Sequence, residues 1–334
     1  MNIKNILFKT YFIVHIVSIL GCSSLPNSSI SATRMNYNEH LRNSESSQLL
    51  HNIVALNNND VPYFLFASSL LSQISKEGTV STGIAIMPAI DNDLGSINGS
   101  ITVKESPSIT YTPLQGEDYS RLLLTPIPVP LLLALVESNW PIDSLMKLSF
   151  SSINGIRNQT SDNTLFNKLI NLLEVMQKNS DISIKVQRDD KSYKASFLIN
   201  PQLGSKGRKR LNELKKILGI KEITEKRFLI SFNYYPSEPM ELAIITRSIF
   251  DIMKILGNNL KSTSKNGEYQ YINIKKGSKL PKSTYIYTKY RQLYYWIDEK
   301  DATSQKFFLL TQLLIKLKNT SEIEKLPILS IGNL

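Results

Sequence analysis

The sequence predicts an α+β fold in which antiparallel sheets made from hairpins are covered by helices, in two similar-sized subdomains. Three observations predict it. Several segments carry apolar residues at helical spacing, beginning with Leu41, Leu49, Leu50, Ile53 and Val54. Others alternate with period two and stand in adjacent pairs, as Ile182-Ile184-Val186 does with Tyr193–Ile199. Single helices separate the pairs, and no repeat of fixed period is present. The 334 residues suffice for one large or two medium domains. They divide into a leader over 1–21, a tether over 22–35, and α+β domains over 36–160 and 161–334.

The elements follow in order. Asn36–Leu56 is predicted to be a helix ended by Asn57-Asn58-Asn59-Asp60. Tyr63–Ile74, Thr79–Ile90, Ile97–Val103 and Ser108–Thr112 read as strands, with breaks at Gly78, Asp91–Gly95 and Asn98-Gly99. Gly116–Leu124 and Pro130–Ser138 read as helices separated by Pro126, Pro128 and Pro130, and the second is apolar nearly all round, hence buried. Pro141 opens a third helix, and 154–163 reads as a polar linker. Helices follow at Asn163–Lys178, at Lys206–Leu218 ended by Gly219, and at Arg247–Leu256 ended by Gly257. Phe228–Asn233 and Met240–Thr246 are strands, Asn258–Lys282 is a polar insertion, and Tyr285–Ile297 is a hairpin turning near Arg291-Gln292. A helix over Ala302–Lys318 and a short strand over Leu326–Ile331 complete the pattern.

The N-terminus speaks to location. Lys4 and Lys9 precede a largely apolar run from Thr10 to Leu20, which at about 1.5 Å rise per residue is too short to cross a membrane and suits a signal peptide. Ser18-Ile19-Leu20-Gly21-Cys22 resembles a bacterial lipobox, although Leu20 stands where a small residue is usual. The resemblance implies that Cys22, the only cysteine, is lipidated and that the mature chain is anchored by its acyl tails. Ser23 and Ser24 follow, without the aspartate that favours inner-membrane retention in enteric lipoproteins. By that resemblance the body faces the periplasm from the outer membrane. Processing would leave 37 basic and 28 acidic residues, a charge of +9. Such a balance suits an anionic surface or acidic partner, and it also follows from an AT-rich genome.

The chemistry-bearing residues point away from catalysis. His40 and His51 lie eleven residues apart on one predicted helix, with no ligand set to complete a metal site. No Gly-x-Ser-x-Gly elbow, phosphate-binding loop or dinucleotide turn is present, so nucleotide partners and cofactors are not expected, and a tethered periplasmic body is not expected to meet nucleic acid. Asp91-Asn92-Asp93-Leu94-Gly95 lacks the oxygen ligands of a calcium loop and reads as a turn. Glu117 and Asp118, like Asp298, Glu299 and Asp301, sit where helix N-termini favour acids.

Two surface features carry contact hypotheses. Lys206, Arg208, Lys209, Arg210, Lys215 and Lys216 crowd one short helix opposite Leu211, Leu214, Ile217 and Leu218. That is the ordinary solvated face of an amphipathic helix, or a surface for phosphate-bearing lipid. Tyr285–Trp296 alternates so that aromatics fall on both strand faces, one for the core and one, with Tyr287, Tyr290, Tyr294 and Trp296 as candidates, for stacking.

At Ile109-Thr110-Tyr111-Thr112-Pro113-Leu114-Gln115-Gly116-Glu117-Asp118-Tyr119 and Thr125-Pro126-Ile127-Pro128 the chain resembles a family of uncharacterised Gram-negative lipoproteins. Tyr37-Asn38-Glu39…Gln48-Leu49-Leu50…Asn52-Ile53-Val54…Asp60-Val61-Pro62-Tyr63-Phe64, Thr246-Arg247-Ser248 and Tyr290-Arg291…Tyr295-Trp296-Ile297-Asp298 with Lys306 extend the likeness, and Ala55-Leu56-Asn57-Asn58 departs from it where an arginine is expected. The resemblance implies an envelope location and no activity. The expected role is a structural or docking component of an envelope assembly, such as a secretion system, with protein partners and a membrane anchor. The alternatives are a binding protein for an anionic lipid, lipopolysaccharide or glycan, and thirdly an enzyme.

Overall fold

The computed structural model describes residues 27–85, 94–158, 164–189, 192–220, 227–231, 233–260 and 270–320. Two compact units divide the chain, Met1–Leu49 and Leu50–Leu334. The described part of the first is helical, belonging to α1 (Asn27–Asn57). This helix takes in the last nine residues of the predicted tether, 27–35: a segment too polar to build a core still gains a hydrogen bond per residue by extending an existing helix.

The second unit opens with a ribbon. β1 (Leu65–Ala85) and β2 (Leu94–Pro113) pair antiparallel from Leu65↔Pro113 to Ala85↔Leu94, with one bulge between Ala67 and Ser69. Three predicted breaks need correction. Gly78 pairs with Ile101 in mid-ladder, Asn98-Gly99 faces Ser81 and Val80, and Leu94-Gly95 already belongs to β2. The ladder runs unbroken through all of them, so strand pairing overrides the local turn signals.

After α2 (Gly116–Tyr119) and a π-helical turn (Ser120–Leu124) come α3 (Val129–Glu137) and α4 (Ile142–Ser149). The helix α3 buries Val129, Leu132, Leu133, Leu135 and Val136, as its all-round apolarity predicts. β3 (Phe150–Ile153) and β4 (Ile156–Arg157) form a tight hairpin where a linker was expected. Next are α5 (Thr164–Lys178), β5 (Ile182–Asp189), β6 (Ser192–Ile199), α6 (Ser205–Leu218), β7 (Arg227–Ser231), β8 (Glu241–Thr246) and α7 (Ile249–Leu256). A 3-10 turn (Asn258–Leu260), β9 (Lys275–Gly277), β10 (Thr284–Tyr290), β11 (Leu293–Asp298) and α8 (Ala302–Thr320) follow. The strand expected over Leu326–Ile331 lies outside the described residues.

The main sheet runs β4-β3-β8-β7-β6-β5, mixed because β7 and β8 are parallel while its other pairs are antiparallel. It takes strands from both sides of the domain boundary predicted near residue 160. A second sheet runs β10-β11-β9. Helices α3 and α5 pack on β5, and α5 also packs on α4 and α6. The fold is α+β, as the sequence predicts.

The helix α6 ends at Gly219, whose φ of 70° is the left-handed cap that glycine accepts without strain. Near its start, a Cβ on Gly207 would stand 2.6 Å from Asp181 Oδ1 and 2.8 Å from Leu203 Cδ2. Asp181 is buried and accepts from Arg210 Nε. Gly207→Ala is expected to lower the urea midpoint, because overpacking of about 1–3 kcal/mol exceeds the helix-propensity gain of about 1 kcal/mol. An unchanged or higher midpoint would show that α6 simply shifts.

Candidate functional site

The segments that carry the lipoprotein resemblance meet in two places. In the first, Thr246-Arg247-Ser248 lies against Thr125-Pro126-Ile127-Pro128. Thr246 Oγ1 donates to Ile127 O at 2.6 Å, Ile127 N donates to Arg247 O at 3.1 Å, and Pro126 bridges Ser248. Ser248 caps α7 in a reciprocal box with Asp251, so α7 starts two residues later than predicted.

Between them, Arg247 is 7% exposed and forms no ion pair among the described residues. Its Nη1 donates to Lys147 O at 2.8 Å and Leu148 O at 2.9 Å, and its Nη2 to Asn158 O at 2.8 Å. Its backbone N–H donates to Ser149 O at 2.7 Å. A helix leaves its last carbonyls unpaired, and this one residue closes three of them on α4. The negative end of the helix dipole also favours a cation there. Asn158 Nδ2 and Tyr271 Oη both donate to Lys147 O at 2.8 Å, completing the knot. Burial pulls the Arg247 guanidinium below its ordinary pKa and pushes the Tyr271 phenol up.

An open pocket of about 450 Å³ adjoins the knot, lined by Ser151, Thr246, Arg247, Asp251, Lys254, Ile255 and Asn258. Within its lining, Thr246 and Asp251 serve the backbone and the cap, and Arg247 Nη1 and Nη2 are turned onto carbonyls. Among the described residues, no group of three or more His, Cys, Asp and Glu side chains is placed to hold a metal.

The second meeting place is the root of the ribbon. Asn52 grips Tyr63 at both ends, donating to its carbonyl at 2.8 Å and accepting from its N–H at 3.0 Å. Tyr119 Oη donates to Pro62 O at 3.2 Å, and Leu114 N to Phe64 O at 2.9 Å. Tyr290 Oη donates to Asp60, with Arg291 beside both at the β10–β11 turn, where its φ is 53°. The tyrosine hydrogen bond, with help from Arg291, holds the Asp60 carboxyl below its usual range. His51 sits edge-on to Tyr290 at 5.6 Å with Nδ1 3.2 Å from Thr288 Oγ1, a structural setting. Around this root Val61 (79%), Tyr63 (54%), Tyr111 (44%) and Leu65 (37%) are exposed.

The sequence-predicted contact residues divide. On α6, Lys206, Arg208, Lys209 and Lys216 are exposed and Lys215 is half-buried. Arg210 instead holds Asp181. Of the aromatic set, Tyr287 is exposed and Tyr294 half-buried beneath Lys289, whose Nζ lies 5.7 Å from the ring centre. Tyr290 and Trp296 are buried, so they are withdrawn as contact residues. The reason is that β11 is the middle strand of its sheet, with Tyr295, Trp296 and Ile297 all covered. Glu117 and Asp118 begin α2, and Asp301 caps α8 by accepting from Ser304 N at 3.0 Å. Cys22 and Asp91–Asp93 lie outside the described residues. Sequence reasoning missed Arg247, Asn158 and Tyr271. The available signal was a lone charge, Arg247, inside Leu242–Phe250.

No protein-family description matches the chain, and neither a curated protein nor a solved structure is similar to it.

Arg247→Met is expected to destabilise the protein by about 1–3 kcal/mol for each carbonyl left bare, with Leu148 O and Asn158 O the most affected. Urea denaturation measures the loss, and Arg247→Lys recovers only part of it because an ammonium lacks the guanidinium fork. Lys318, 5% exposed and donating to Thr125 O, gives a pH signature. Burial, reinforced by Arg121, depresses its pKa to about 8 from 10.5. Between those values the unfolded chain holds the extra proton, so Lys318 makes stability rise with pH. The wild-type minus Lys318→Met difference, followed by urea unfolding from pH 7 to 10.5, should climb through this window. A flat difference contradicts the assignment.

Proposed function

We propose that this protein is a lipid-anchored scaffold of the bacterial envelope, tethered through Cys22, whose body holds the β1–β2 ribbon out for other protein chains to dock on. The observation that carries the reading is where the resemblance-bearing segments lie. They are engaged in internal ties that brace the body and the ribbon's root, rather than gathered round reactive groups. Such residues behave as framing, and among the described residues the ribbon they frame has no third strand in its sheet.

A second reading rests on α6, which keeps Lys206, Arg208, Lys209 and Lys216 exposed. In it the same body binds phosphate-bearing envelope lipid through this helix.

The tagged protein, purified from detergent-solubilised envelope, should bring down a companion chain in stoichiometric amount. A variant with residues 70–109 replaced by an Asn-Gly turn should fold and lose it. A companion retained by that variant, or bound lipid with no companion at all, overturns the docking role. Cys22→Ala should move the protein into the salt-washed soluble fraction, and persistence in the membrane pellet overturns the anchor.

A further inference from the structure

The pocket beside Arg247 is built from two regular walls. Asp251, Lys254, Ile255 and Asn258 follow one another at i, i+3, i+4 and i+7, so a single face of α7 and its continuation supplies one wall. The opposite face of α7 carries Ile249, Ile252, Met253 and Leu256 into the core, which fixes that wall in place. Ser151, Thr246 and Arg247 make the other wall, where β3 meets β8. The ladder slips there: Phe150 pairs with Thr246 and Ser152 with Ile245, leaving Ser151 without an opposite residue. A bulge of this kind re-aims a side chain, and Ser151 is the β3 residue that lines the pocket.

The polar groups of the lining are not spent on one another. Lys254 is exposed one turn after Asp251, a spacing that brings Cβ atoms within about 5–6 Å, yet the two form no ion pair among the described residues. Asp251 Oδ2 accepts from the Ser248 backbone and hydroxyl, which leaves Oδ1 without a hydrogen bond among the described residues. Among those residues the Ser151 hydroxyl, the Asn258 amide and the Lys254 ammonium are also without one. Arg247 adds a buried positive charge, and because its Nη1 and Nη2 are turned onto carbonyls it contributes potential more than contacts.

Charge decides what such a pocket can take. A bare anion would be repelled by Asp251, and a bare cation by Lys254 and Arg247. An apolar ligand would find one aliphatic side chain, Ile255, and would strand the polar groups around it. Going beyond the docking reading and independent of it, we propose that this pocket binds a small zwitterion. Asp251 receives its ammonium, Lys254 receives its anionic group, and Ser151 and Asn258 supply further hydrogen bonds. Acceptor and donor one helical turn apart suit a ligand whose charges are separated by a few bonds, as in an α-amino acid or phosphoethanolamine. The volume of about 450 Å³ falls within the range of about 300–1,000 Å³ usual for small-ligand sites.

Calorimetric titration of the full chain in non-ionic detergent tests the site. The probes are phosphoethanolamine and glycine, with ethanolamine and inorganic phosphate as the separated charges. At least one zwitterion should bind with a Kd of about 1 mM or tighter. Ethanolamine and phosphate should each bind at least about tenfold more weakly, because each leaves one charged side chain unanswered. A preference for phosphoethanolamine identifies a lipid headgroup as the source, a preference for glycine identifies a free amino acid, and equal binding supports the shared chemistry. Lys254→Met should weaken the zwitterion at least about tenfold while keeping the wild-type urea midpoint. Should that variant unfold, Lys254→Gln repeats the measurement. The site is overturned by zwitterions that fail to bind at about 1 mM, by either separated charge binding as tightly, or by a Lys254→Met chain that binds like wild type.

Discussion

A buried guanidinium paired with carbonyls instead of a carboxylate is the interaction on which the rest of this body depends. Taking a cation out of water is costly unless its donors find partners, and at Arg247 three of them are answered by backbone carbonyls. The arrangement resolves two costs together. The unsatisfied end of α4 needs donors, and the cation needs negative potential. Because the carbonyls come from α4 and from Asn158 beyond β4, the residue locks helix, hairpin and sheet in one register. Tyr271 adds a bond from the connection before β9. Through Thr246 and Ile127 the same point fixes the proline-rich segment that leads from the ribbon's end into α3.

Bracing of this kind matters because of what it has to support. A long ribbon held only by its base transmits any play at the base along its whole length. The root is accordingly tied by side-chain and backbone bonds from several parts of the unit: Asn52 from α1, Tyr119 from α2, Leu114 from the end of β2 and Tyr290 from β10. None of these bonds is unusually strong, and the Asp60 carboxylate is half-exposed in its ion pair with Arg291. Their value lies in number and direction, since they fix the loop over 60–64 from different sides. Local opening of the ribbon need not then loosen the body.

The regular parts of the body were legible in the sequence. The α5 helix, the β5–β6 hairpin, α6 with its Gly219 cap and the β10–β11 turn all declare themselves by periodicity and punctuation. Four features did not. Gly78 and Asn98-Gly99 carry turn chemistry, yet among the described residues the ribbon's sheet has only two strands, so a glycine loses little packing and the ladder runs through it. The polar stretch after Gly257 hides the buried island Tyr271, Ile272 and Ile274, too short to give a period of its own. Arg247 was read as the first residue of a helix. Its burial depends on carbonyls about a hundred residues away, which no local pattern encodes. Among the aromatics, alternation assigned Trp296 to an open face because it could not foresee β9.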